Sequence, residues 1–254
     1  MSADELVHCT IERAVATITL DAPERRNALS AQLVDELTAH LDAALAQDVR
    51  AVVLTHTTST FCAGADLVEA AEPGGPERGT ARTLALLRKL VEVPVPVVAL
   101  IDGNVRAGGL GVVGACDIAF AGPGSSFAFT EAKLGLAPAM ISLTVLPRLT
   151  DRGAARWFLT AETFGADEAA RIGLVTEVAD DVQAAAAVVL DSLRACSPQG
   201  LAETKALATR AVLEAFDRRA HDLAAQSARL FASGEAAEGI AAFKERRPPR
   251  WTIA

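Results

Sequence analysis

The hydrophobic and polar positions along the chain alternate between two periods. Val15 to Leu20 switches between apolar side chains and threonine, the signature of a half-buried strand. Asp21-Ala22-Pro23 then turns the chain. Ser30 stands where a helix cap belongs, and Leu33, Leu37, Leu41 and Leu45 form one stripe of a helix running to about Gln47. Ala51 to Leu54 and Val95 to Ile101 are uninterrupted apolar runs, which predicts strands covered on both faces. The segment from Glu72 to Gly79 holds Pro73, Gly74, Gly75 and Pro76 and reads as a loop, with a helix from about Thr80 to Val91 behind it. Gly108 to Gly114 opens a helix or tight turn, and Ile118 to Phe120 and Phe127 to Phe129 read as short strands. From Ser142 onward the pattern is mostly helical, with alanine dense over Val182 to Ala195 and Leu201 to Ala215, and the tail after Phe243 is basic and proline-rich. No repeat of fixed period is visible. Strands alternating with helices, then helices alone, predict an α/β core followed by a helical C-terminal part, which we divide at residues 1–190 and 191–254.

Composition narrows the function classes. Half of the 254 residues are hydrophobic (51%), enough for a sizeable core, and the formal net charge is -8, which disfavours nucleic acid as a partner. No stretch approaches a membrane span, and Met1 to Glu5 lacks the layout of a signal peptide. Cys9, Cys62, Cys116 and Cys196 are far apart, as are His8, His40, His56 and His221. Free thiols in a reducing compartment, and hence a cytoplasmic location, are expected, with no metal site.

Gly109-Leu110-Gly111-Val112-Val113-Gly114 fits G-x-G-x-x-G, with Glu131 twenty residues after Gly111. The context is wrong for a dinucleotide fingerprint, because Asp102 to Gly108 intervene after the apolar run and Glu131 opens a turn rather than ending a strand. A second small-residue turn, Ala63-Gly64-Ala65-Asp66, changes the meaning of the first. Each turn follows a strand and starts a helix, and each can leave backbone N–H groups unpaired. Two such groups aimed at one point would make an oxyanion hole.

At these residues the chain resembles the crotonase (enoyl-CoA hydratase/isomerase) family. The resemblance runs in order through Pro23-Glu24-Arg25-Arg26-Asn27-Ala28-Leu29, Phe61 to Leu67, Ile101-Asp102-Gly103 with Gly108-Gly109, Cys116-Asp117-Ile118-Ala119, Thr130 to Pro138, Ile172-Gly173-Leu174-Val175 and Ala242 to Pro249. It implies a crotonase-like spiral of ββα units with a helical C-terminal region that packs trimers, often paired into hexamers. It implies an acyl-CoA thioester as substrate, with CoA entering as part of it and no separate cofactor. The N–H groups of Ala65 and Gly108 would hold the thioester oxygen, and Glu131 would be the general acid/base. Arg26, Ala28, Ala63, Asp66, Leu67, Gly109 and Gly111 would line the substrate, with Phe243 and Lys244 near the CoA nucleotide. One departure matters. Hydratases of the family often carry a first glutamate three residues after the oxyanion glycine, and here that place is Gly111. The usual glycine-rich stretch after Pro138 is Ala139-Met140-Ile141-Ser142, and the family's Gly-Gly-Gly run is Ala107-Gly108-Gly109 after Arg106. This texture is similar to hydratases of branched or carboxylated enoyl-CoAs such as 3-methylglutaconyl-CoA. Three readings stay open: a 2-enoyl-CoA hydratase, a Δ3,Δ2-enoyl-CoA isomerase using Glu131 as a single shuttle, and a weakly catalytic acyl-CoA binder.

Overall fold

The computed structural model describes residues 5–253, so the reading of residues 1–4 as lacking a signal peptide lies outside them. The chain opens with a hairpin of β1 (Val7–Glu12) and β2 (Val15–Leu20), joined through Arg13 and Ala14, both at positive φ as a two-residue hairpin turn requires. Helix α1 (Ala31–Leu45) follows, capped by the Ser30 side chain on the Leu33 N–H and burying Leu33, Leu37 and Leu41 as its stripe predicts. A unit then recurs: a long strand, a short strand, a helix. Strands β3 (Ala51–His56) and β4 (Thr60–Cys62) lead to α2 (Gly75–Glu92), and β5 (Val97–Ile101) and β6 (Asn104–Arg106) lead to α3 (Gly108–Ala115). Strands β7 (Ile118–Ala121) and β8 (Ser126–Ala128) lead to a 3-10 turn at Thr130–Leu134, then α4 (Ser142–Val145) and α5 (Asp151–Thr160). Next come β9 (Phe164–Gly165), α6 (Ala166–Ile172), β10 (Glu177–Val178) and the helices α7 (Val182–Arg194), α8 (Pro198–Phe231) and α9 (Gly234–Glu245).

The long strands make one six-stranded sheet, β1-β2-β3-β5-β7-β10, and the short ones a four-stranded sheet, β4-β6-β8-β9. Within each unit the chain steps from the first sheet to the second and returns by a helix, which is the ββα spiral that the resemblance implies. Strands β3, β5 and β7 pair in parallel, Val52 on Val97 and Val98 on Ile118. Both faces of this sheet are covered. Val52, Leu54, Val97 and Ile101 join the main core with α1, α2 and α3, whereas Val53, Val98, Leu100 and Phe120 pack against Ala186 and Leu190 of α7. That two-sided burial is why these strands read as unbroken apolar runs.

Two expectations change. The loop read over Glu72 to Gly79 ends early, because α2 begins at Gly75 with Pro76 in its first turn, where the missing N–H costs nothing. The second dense-alanine helix extends to Phe231, and α8 is 34 residues long. Its Val212, Phe216 and Leu223 belong to the same apolar core as the sheet. Among the described residues no helix is long and apolar enough to cross a membrane.

One buried charge ties α8 to the sheet. Lys205, 6% exposed, meets Asp117 at 2.8 Å and donates to the carbonyls of Leu90 and Val95, both at 3.0 Å. Asp117 also accepts from the Val97 N–H at 2.8 Å. Burial lowers the Lys205 pKa, and Asp117 opposes that shift. Removing one partner of such a pair strands the other charge and two carbonyls in a dry site, a loss of about 3–5 kcal/mol. Lys205→Ala is therefore expected to lower unfolding free energy by roughly that amount in urea titration; a loss below about 1 kcal/mol would show the pair to be solvated.

Candidate active site

The first small-residue turn is held from below. Asn27, fully buried, accepts from the Ala22 N–H at 2.7 Å and donates to the Thr60 carbonyl at 2.8 Å, which fixes the segment carrying Arg26 and Ala28. The Ala63 N–H donates to the Arg26 carbonyl, and the Leu29 N–H donates to the Gly64 carbonyl. Leu29 thereby forms a parallel bridge to Ala65. In a bridge of this kind the peptides flanking Ala65 face Leu29, so the Ala65 N–H points the other way. Asp66 closes the turn. Its carboxylate accepts from the N–H groups of Val68 (2.8 Å) and Glu69 (3.2 Å) and pairs with Arg25 at 2.8 Å. Burial alone would raise the Asp66 pKa; the Val68 N–H, Arg25 and the Glu69 N–H outweigh it and hold the carboxyl below the usual range.

The second turn follows β6. Ala107 sits at φ 46°, ψ −118°, a conformation hostile to a side chain, with its N–H bonded to the Ala128 carbonyl at 3.0 Å. Gly108 then starts α3, so its N–H is one of those a helix leaves without an internal partner. The two turns touch. Gly64 is left-handed (φ 89°), and a Cβ there would lie 2.9 Å from the Ala107 Cβ and 3.0 Å from the Gly108 nitrogen. A Cβ on Gly108 would fall 3.5 Å from the Ala65 nitrogen. Among the described residues neither the Ala65 nor the Gly108 amide is matched to an acceptor. The pair of amides read as an oxyanion hole is thus brought together at one point.

Glu131 lies in the 3-10 turn after β8, 8% exposed. Its Oε2 is the buried side-chain oxygen that lacks a hydrogen-bond partner among the described residues. Burial pushes its pKa up to about 7, opposed only in part by its own backbone N–H. The dry setting has identifiable sources. Phe127 and Phe129 are fully buried, Phe129 packs on Phe158 of α5 (centroids 4.5 Å apart), and Phe164 packs on Phe127 and Trp157. Helix α9 covers the same turn from the other side, its Gly239 so close to Leu134 that a Cβ would stand 2.5 Å from the Leu134 carbonyl oxygen.

Gly111 is closed off. A Cβ at that position would collide with Ile141 Cγ2 and stand 2.9 Å from Ile141 Cβ and 3.3 Å from Leu87 Cδ1. Where hydratases of the family often place a first glutamate, this chain has a packed apolar wall. Gly109 is likewise buried, against Cys62. Arg26 is exposed at φ 53°, Ala28 is buried, and Ala63 and Leu67 are half-buried around the turn. Phe243 (61% exposed) and Lys244 lie at the C-terminal end of α9, outside the cleft. That cleft, about 260 Å³, runs from Ala65 between α2 and the end of α8. Its walls include Met140 of the segment after Pro138, and Thr80, Thr83 and Phe231, which the sequence motifs do not single out. The polar side chains at 80 and 83, on an otherwise apolar helix stripe, are the signal that could have found them.

No group of three or more histidine, cysteine, aspartate or glutamate side chains suited to a metal occurs among the described residues. The groups on offer are two amides from touching turns and one carboxyl whose pKa burial pushes up to about 7. The raised pKa of that carboxyl has a consequence for stability. The unfolded chain ionises Glu131 near 4.5 and the folded one near 7, so between these values the folded protein binds more protons and stability falls as pH rises. Glu131→Gln removes that penalty. It should stabilise the protein by roughly 3 kcal/mol at pH 8 relative to its effect at pH 4, since each tenfold change in proton affinity corresponds to about 1.4 kcal/mol; an effect equal at both pH values in thermal melts would contradict the buried carboxyl.

Comparison with known proteins identifies the family. The family model described as enoyl-CoA hydratase/isomerase matches residues 10–253. An enoyl-CoA hydratase of known structure from Mycobacterium avium is 52% identical, with a TM-score of 0.93, over 99% of this chain and 100% of that one. Another from Shewanella pealeana is 32% identical with a TM-score of 0.77 over 97% and 96%, and one from Mycobacterium smegmatis is 30% identical with a TM-score of 0.78 over 97% and 98%. The match spans both touching turns, Glu131 and the C-terminal helices, and the chain belongs to the enoyl-CoA hydratase/isomerase family.

Proposed function

We propose that the protein is a 2-enoyl-CoA hydratase in which Glu131 is the single general acid/base. The observation that carries this reading is the unpartnered, dry Glu131 carboxyl in a chain whose Ala65 and Gly108 amides stand side by side. The two N–H groups donate to the thioester oxygen and draw charge from C3. Glu131, as carboxylate, takes a proton from water while the water oxygen bonds to C3, and the electron pair of the C2–C3 double bond moves toward the thioester oxygen. Glu131 then returns the proton to C2, which restores the carboxylate and leaves a 3-hydroxyacyl-CoA. A carboxyl poised near the working pH serves both transfers. Each amide of such a site is worth about 2.7–4 kcal/mol in the transition state.

A second reading rests on the wall at Gly111. Without a second carboxylate to hold water, Glu131 can instead take a proton from C2 of a 3-enoyl-CoA and deliver it to C4, which is isomerisation. The names borne by the similar solved structures support hydration. A weakly catalytic acyl-CoA binder fits poorly with retention of a costly buried carboxyl. In the same reading CoA enters only as part of the substrate, the 191–254 region contributes to the CoA site near Phe243 and Lys244, and copies assemble as a trimer or hexamer through it. The exposed Leu207 and Phe243 support that assembly, and the free cysteines support a cytoplasmic location.

Turnover on matched 2-enoyl- and 3-enoyl-CoA thioesters, with products identified by mass spectrometry, tests the reading. Gain of one water from a 2-enoyl-CoA is expected; conversion of a 3-enoyl-CoA without mass change as the dominant reaction would replace hydration with isomerisation. Because the carboxylate form is required, kcat/KM should fall as pH drops through about 7, and Glu131→Gln should lose at least about 100-fold in kcat, the lower range for acid–base groups. A flat profile between acid and alkaline pH would remove Glu131 from the mechanism.

A further inference from the structure

The buried stripe of α2 changes character along its length. In its second half it is apolar, with Leu86, Leu87, Leu90 and Val91 all sealed in the core. In its first half, where the helix borders the cleft beside Ala65, the same stripe carries Thr80 and Thr83, only 4% and 5% exposed. Both threonines line the cleft, as do Phe231 of α8 and Met140. No protein group bonds the Thr83 hydroxyl among the described residues, and that hydroxyl is not a sealed atom but borders the cleft. Thr80 has only a long contact, 3.5 Å, to the Ser227 hydroxyl, itself on a buried residue of α8. Leucine or valine at these positions would present only carbon to the cleft, where the threonines present hydroxyls that a bound polar group can meet.

The charged groups around this cleft are already matched. Asp66 pairs with Arg25 at 2.8 Å, Arg78 donates to the Pro73 carbonyl at 2.8 Å and meets Glu72 at 3.5 Å, and Arg82 meets Asp35 at 3.5 Å. With Glu69 also on the wall, the acidic groups of the lining outnumber the basic ones, so a carboxylate has no free cation to meet. A neutral oxygen that can both accept and donate is the group that satisfies the threonines.

We propose that this cleft is an acyl subsite for a chain carrying a neutral oxygen substituent, a hydroxyl, beyond the reacting carbons, held by Thr83 with Thr80. The inference rests on the proposed enoyl-CoA function and names its substrate class. The test compares kcat/KM for 2-enoyl-CoA thioesters of one chain length that end in a methyl, a hydroxyl or a carboxylate group. The wild-type protein should prefer the hydroxylated chain at least tenfold over the other two. Thr83→Val should reduce that hydroxyl-to-methyl ratio about tenfold, whereas Thr83→Ser, which keeps the hydroxyl, should retain it. A wild-type preference for the methyl or carboxylate chain, or a ratio that Thr83→Val leaves unchanged, overturns the subsite. Calorimetric binding of the saturated hydroxyacyl- and acyl-CoA pair to the Glu131→Gln protein separates this from the catalytic reading. A hydroxyl preference in binding without wild-type turnover of any thioester upholds the subsite and sinks the hydratase; turnover without preference does the reverse.

Discussion

Everything at the site depends on how closely two backbone turns approach. Gly64 and Gly108 come from different units of the spiral, and a methyl group on Gly64 would stand 2.9 Å from the Ala107 Cβ and 3.0 Å from the Gly108 nitrogen. Sheet pairing provides the approach: β4 and β6 are neighbours in the short-stranded sheet, so the turns at their C-terminal ends lie side by side. The long-stranded sheet provides the rigidity, because β3 and β5, which lead into those short strands, are buried on both faces and locked in register. Amides positioned this way need no reorganisation when charge develops on a bound oxygen, which is where preorganised dipoles are most effective. The strain accepted at Ala107 fits the same account, since its unusual backbone is what carries the chain from β6 into α3 at the point of contact.

The carboxyl is set by the opposite strategy. Where the amides are held by regular structure, the Glu131 Oε2 is left without a partner in a setting made dry by the phenylalanine cluster and by α9 folding back over its turn. The absence of a second carboxylate is likewise structural. Ile141 and Leu87 fill the space beside Gly111, so restoring a glutamate would require rebuilding the segment after Pro138 as well. The two sequence departures at 111 and 139–142 are one packing event seen from its two sides.

Much of this is legible in the residues alone. Period-two alternation marks β2, the leucine stripe marks α1, and apolar runs mark β3 and β5, because burial writes directly into these patterns. The short strands β4, β6 and β8 hold three residues each, too few to carry a period, so the run at Phe127 marks β8 but the second sheet as a whole escapes such a reading. The residues of the two touching turns are visible as small-residue motifs, but their contact arises from the pairing of Thr60 with Asn104 across distant parts of the sequence, which no local pattern encodes. The Lys205–Asp117 pair is hidden for the same reason: each residue alone looks like a surface charge. Pro76 suggests a loop because proline breaks helices in general, yet in a first turn it begins one.

In the proposed reaction the Ala65 and Gly108 amides hold the thioester oxygen together. Isotope-edited Raman spectroscopy of a 2-enoyl-CoA labelled with carbon-13 at its thioester carbonyl, bound to Glu131→Gln protein so that it persists, reads that contact directly. Two converging donors predict a carbonyl stretch shifted to lower frequency than in water. A frequency equal to or above that of the free thioester in water would mean that the amides do not bind this oxygen, and the account of the site would fail.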